Sequence, residues 1–112
     1  MKVWRLTPRA EESLIDIALW TLETFGPRQA EIYETELLDR CAALAAGRAA
    51  SRDCSSLLDP NADADAETAL RYARAGEHFV VFIDTPDELV IIDILHGRSD
   101  LPARIAAIQA QV

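Results

Sequence analysis

A single lysine, Lys2, serves a chain of 112 residues, and nineteen acidic side chains outweigh eleven basic ones. The formal net charge of −8 repels polyanions at long range, so free association with nucleic acid gets no help from the overall field. No direct sequence-specific nucleic-acid binding is expected, and the balance favours a protein partner with a basic surface. Cysteine is scarce as well. Cys41 and Cys54 form no CxxC pair, which excludes a disulfide framework; Cys41 is expected in the core and Cys54 as a loop thiol. No apolar run approaches the ~20 residues needed to span a bilayer, and Met1–Pro8 carries no signal-peptide apolar region. A cytoplasmic protein without membrane contact is expected. There is no GxSxG, P-loop, CxxC or HExxH, so conventional hydrolases, kinases and zinc enzymes have no foothold, and no cofactor is expected. The run Asp59-x-Asn61-x-Asp63-x-Asp65 starts like a calcium loop. It has Ala64 where that loop needs glycine and Leu70 where it needs glutamate, so no metal is expected there.

What is present is a half-hydrophobic chain, long enough for one domain over residues 1–112 with one modest core. Lys2–Leu6 reads as a strand. Thr7-Pro8 is a helix start, a capping hydroxyl followed by a proline whose missing N–H does no harm. Glu11 and Glu12 then complement the helix dipole, and Leu14, Ala18, Thr21/Leu22 and Phe25 recur at helical spacing. Phe25-Gly26-Pro27 ends this helix and begins the next, whose stripe is Ala30, Tyr33, Leu37, Cys41 and Leu44. A link of about four residues forces the pair into an antiparallel hairpin. Residues 48–68 are polar and acidic, and read as a loop with a short helical turn near Ser55–Leu58.

The final third reads as three strands, Ala69–Ala75, His78–Asp84 and Glu88–Leu95, joined by turns at Gly76-Glu77 and Thr85-Pro86-Asp87. Val80–Ile83 and Leu89–Ile92 are apolar at consecutive positions, so both faces of the sheet must be covered. The hairpin covers one. The other needs a partner chain or a last helix, which Asp100 would cap and in which Leu101, Ile105, Ile108 and Val112 form a stripe. The fold class is α+β: an antiparallel sheet with an N-terminal helical hairpin on one face, in the order β-α-α-β-β-β plus a C-terminal helix.

In that order stand Leu6-Thr7-Pro8-Arg9-Ala10-Glu11, Phe25-Gly26 with Gln29-Ala30 and Tyr33, Arg71, and Ile94-Leu95-His96-Gly97-Arg98-Ser99-Asp100-Leu101. Together they resemble the ParE branch of the ParE/RelE toxins. The resemblance implies the toxin of a two-gene toxin–antitoxin module, a plasmid-stabilising kind of bacterial system. Such a toxin would inhibit DNA gyrase and be held inactive in a hetero-oligomer with a ParD-like antitoxin. On that reading the chain is not an enzyme, and Arg71, Arg74, His96 and Arg98 are candidates for target or antitoxin contact. The alternative is a RelE-like, ribosome-dependent mRNA endoribonuclease, with His78, His96, Arg98 and Arg71 activating a 2′-hydroxyl and holding phosphate charge. Pairing of the last two strands around Pro86 would bring His78 and His96 to one end of the sheet. The plainer expectations are a solvent-facing His78, a His96-Gly97-Arg98 strand end turned by glycine and paired to Asp93 or Asp100, and Trp4 and Trp20 in the core.

Overall fold

Thr7 shows how the first helix is set. Its Oγ1 accepts the Ala10 N–H at 3.1 Å and donates to the Ile92 carbonyl at 2.9 Å, so the helix cap is also a tie to the sheet. The computed structural model describes residues 2–54 and 70–111. Within them the order is β1 (Val3–Leu6), α1 (Pro8–Phe25), α2 (Pro27–Ala45), β2 (Arg52–Asp53), β3 (Leu70–Ala75), β4 (His78–Asp84), β5 (Glu88–His96) and α3 (Leu101–Gln111). The α+β architecture is the one read from the sequence, with two refinements. Gly26 alone separates α1 from α2, at φ 94°, where a side chain would be strained. The two-residue β2 pairs with Tyr72 and Arg71 of β3, inside the segment read as loop. The expected helical turn at Ser55–Leu58 and the acidic run at 59–65 lie outside the described residues.

The sheet runs β1-β5-β4-β3-β2. Every pairing among the described residues is antiparallel except that of β1 with β5, which is parallel, Val3 opposite Glu88 and Leu6 opposite Ile91. Arg5 reinforces this seam through Glu88 at 3.2 and 3.4 Å, and Lys2 bonds Asp84 and the Thr85 carbonyl.

The consecutive apolar strand residues divide between two cores. Val80, Phe82, Leu89, Ile91 and Ile94 pack under the hairpin with Leu37, Cys41 and Leu44 of α2. Val81 and Leu95 pack on the other face with Cys54, Leu70, Ile105 and Ile108. The chain's own C-terminal helix therefore takes the second face, where the sequence left a choice between that helix and a partner chain. Cys54, expected as a loop thiol, is completely buried in this second core. Burial pushes its thiol up to about 12 and that of Cys41 to about 11.

An irregularity in β5 decides where its last side chains point. Between Val81/Phe82 of β4 and Asp93/Ile91 of β5 the register shifts, so β5 carries one extra residue. Such a bulge reverses which side chains face which way. Leu89 and Ile91 point to the hairpin before it; Ile94, and with it His96, point there after it. Buried Asp93 sits at the shift, accepting the Ile94 N–H at 2.8 Å and the Ser13 hydroxyl of α1 at 2.5 Å. It is thus engaged under α1 rather than with His96 or Arg98.

Candidate functional site

At the end of the sheet where β4 begins and β5 ends, the hairpin and the strands leave an open cleft of about 870 Å³. Its walls come from the C-terminal turns of α1 (Trp20, Phe25), one face of α2 (Tyr33, Glu36) and the β3–β4 turn (Glu77), with His78, His96 and Arg98 on the sheet side.

Tyr33 organises the floor. Its hydroxyl lies 2.6 Å from His78 Nδ1, accepts the Glu77 N–H at 2.9 Å, and stands 3.4 Å from the Ala75 carbonyl. The phenol proton has two acceptors in reach, His78 Nδ1 and the Ala75 carbonyl, and Nδ1 is the nearer. Burial lowers the His78 pKa first, and the neighbouring His96 lowers it further, against Glu77. Burial also raises the Tyr33 pKa, with Glu36 and Glu77 adding to it against the Glu77 backbone bond and Arg74. Gly76 makes the arrangement possible. Its φ is +58°, and a Cβ there would fall 2.7 Å from Tyr33 Cε1, so any side chain would be both strained and driven into the ring.

His78 and His96 are register partners across β4 and β5, with ring centroids 5.0 Å apart at 74°. His96 Nδ1 accepts the Arg98 N–H at 3.0 Å, which places a proton on Nε2 when the ring is neutral. Gly97 lies in the turn expected there, closed by the Ser99 N–H on the His96 carbonyl at 3.0 Å, with no positive φ. It is needed because a Cβ would lie 2.9 Å from the Glu77 carbonyl oxygen, the atom that accepts the Gly97 N–H at 2.8 Å.

Of the five residues singled out in the sequence, His78, His96 and Arg98 meet in this cleft, and Arg71 and Arg74 do not. Arg71 lies toward the far end of β3, opposite Phe82, and grips Ser51 through Nε at 2.8 Å and a second nitrogen at 3.1 Å. Alternation along β3 puts Arg74 with Tyr72 on the α3 side. It donates to the Gly76 carbonyl at 3.0 Å and its guanidinium lies 5.8 Å over the Phe79 ring. His78 is 5 % exposed rather than solvent-facing, because the Tyr33 ring closes over it. Asp100 caps α3 through the Ala103 N–H at 3.3 Å and does not pair with Arg98. Trp4 packs against the first core as expected. Trp20 does not: it is 54 % exposed and meets Phe25 edge-on at 5.8 Å.

Sequence reasoning assigned no chemistry to Trp20, Phe25 or Glu36. The signal for the aromatics lay in the surplus of apolar residues on α1, more than one buried stripe can use. Ala10 and Thr21 are buried there, while Ile15, Leu19, Trp20, Leu22 and Phe25 remain exposed. Among the described residues, no group of three or more His, Cys, Asp or Glu side chains is placed to hold a metal ion, and no helix is long and apolar enough to cross a membrane.

A helical hairpin on one face of a mixed sheet, one helix on the other and a histidine-floored cleft at the strand ends define a small α+β domain. The chain belongs to the ParE toxin family of type II toxin–antitoxin systems (parDE), whose model matches residues 4–101. A solved structure described as the chromosomal ParDE TA system from P. aeruginosa has the same fold. Its TM-score is 0.63 at 18 % identity, over 86 % of this chain and 96 % of that one. No curated protein matches the chain.

Proposed function

We propose that this toxin inhibits DNA gyrase by binding it, without chemistry of its own, and that a ParD-like antitoxin neutralises it in a cytoplasmic hetero-oligomer. The observation that carries a protein-binding role is the outer face of α1. Ile15, Leu19 and Leu22 recur at helical spacing and are 58 %, 52 % and 42 % exposed, with Trp20 and Phe25 beside them. A contiguous apolar stripe on a small domain is the physical mark of a surface that another protein covers. The antitoxin's place is accordingly the hairpin, because α3 already covers the second sheet face.

The purified toxin should block gyrase supercoiling, and the antitoxin encoded beside it should restore the activity. A toxin that stops growth while supercoiling proceeds untouched would refute the gyrase assignment.

A second reading, ribosome-dependent mRNA cleavage, draws on the paired imidazoles of His78 and His96. Two features weigh against it. His78 is buried with its Nδ1 occupied, and the carboxylates of Glu36 and Glu77 line the same cleft as Arg98, a poor environment for a phosphodiester. Replacing both His96 and Arg98 by alanine should leave growth arrest intact. Loss of arrest together with loss of mRNA cleavage would establish the nuclease.

A further inference from the structure

From the cleft itself we infer a more specific recognition event: it is a receptor for one arginine side chain of the antitoxin. This rests on the proposed antitoxin partnership and deepens it. Glu36 from α2 and Glu77 from the β3–β4 turn line the same cavity. Both are exposed, and neither carboxylate has a hydrogen bond or ion pair among the described residues. Trp20, Phe25 and Tyr33 supply aromatic walls, the first two more than half exposed. Unpaired carboxylates flanked by open aromatic faces match one common side chain better than any other. A guanidinium stacks flat on an aromatic ring and donates to carboxylates through a planar fork. A lysine ammonium fits less well, being a compact, strongly hydrated point charge.

The charge of the whole molecule points the same way. At −8 the toxin draws a basic segment from a distance, and the two carboxylates give that attraction a terminus. The site adjoins the apolar stripe, since Trp20 and Phe25 belong to the same helix as Leu19 and Leu22. One antitoxin segment can therefore lay apolar side chains along α1 and drop its arginine into the cleft at the end.

The test is a double-mutant cycle with the intact toxin and the antitoxin encoded beside it. Glu36→Gln with Glu77→Gln should weaken binding on the order of 30-fold or more and flatten its dependence on salt. Trp20→Ala should weaken it about 10-fold. Among single Arg→Gln variants of the antitoxin, one should reproduce the loss and be weakened no further by the toxin's Glu→Gln pair. Circular dichroism melts confirm that the exposed substitutions leave the fold intact. Unchanged affinity and salt dependence in the Glu→Gln pair would overturn the inference, as would an antitoxin that tolerates loss of every arginine. Loss of gyrase inhibition with antitoxin binding unaffected would also overturn it, assigning the cleft to the target. If the wild-type toxin fails to bind that antitoxin at all, the broader partner reading falls, an outcome distinct from binding that ignores the cleft.

Discussion

The two faces of the sheet are covered by the same chain to different ends. On one, α3 lays Ile105 and Ile108 over Cys54, Leu70, Val81 and Leu95 and, among the described residues, turns no large apolar side chain outward. On the other, α2 drives Leu37, Cys41 and Leu44 into the core while α1 gives that core much less and turns five large apolar residues to solvent. The first face closes the fold. The second is a core at its base with an open apolar surface above, on the opposite side of one helix pair.

The contrast is open to direct attack. Phe82→Ala in the first core should cost about 3–5 kcal/mol, and Ile105→Ala in the second about 2–4 kcal/mol, read by urea unfolding. A loss under ~1 kcal/mol at Ile105 would mean that α3 does not close the second face. Next in size is Asp93→Ala, which leaves the Ile94 N–H and the Ser13 hydroxyl without their acceptor and should cost roughly 1–3 kcal/mol. The same change should shift the His96 ring resonances if the bulge is what aims that side chain.

A smaller effect is expected from His78. Its folded pKa lies below the ordinary 6.5, so as pH falls the unfolded chain takes up the proton first. Its stabilising contribution is complete above that ordinary value and is lost as pH falls through the lowered folded one. A His78→Gln variant should show a flatter stability profile in that window; an unchanged slope would show the imidazole is not held neutral. Smallest of all, Ile15→Ala and Leu19→Ala should change stability by no more than ~0.5 kcal/mol while reducing antitoxin affinity. Large destabilisation there would move α1's outer face from open surface to core.

Much of the fold is legible in the sequence. Thr7-Pro8 and Gly26-Pro27 announce the helix ends because capping and proline geometry are local. The α2 stripe from Ala30 to Leu44 announces its buried face. His78 and His96 reach one end of the sheet because a short turn at Pro86 pairs their strands, although it is the bulge that sets them face to face. What is not legible depends on long-range geometry. The burial of His78 comes from Tyr33, 45 positions away, and its admission depends on Gly76 lacking a Cβ. The exposure of Trp20 reflects α1 carrying more apolar residues than its seat on the sheet accepts. Arg71 lies on β3 as anticipated, but four residues short of the position that faces His78. Strand length, not residue type, removes it from the cleft.

The parallel seam between β1 and β5 carries a consequence in time. The first strand's partner is synthesised late: Arg5 and Glu88 are 83 positions apart. The hairpin, complete by Ala45, has no finished sheet to sit on until β5 leaves the ribosome, and such non-local pairing is slow to form. Until then the cleft lacks one or both of its histidines and cannot take its finished shape. The cleft therefore forms all at once, when β5 joins the sheet, well after both helices that wall it have been made.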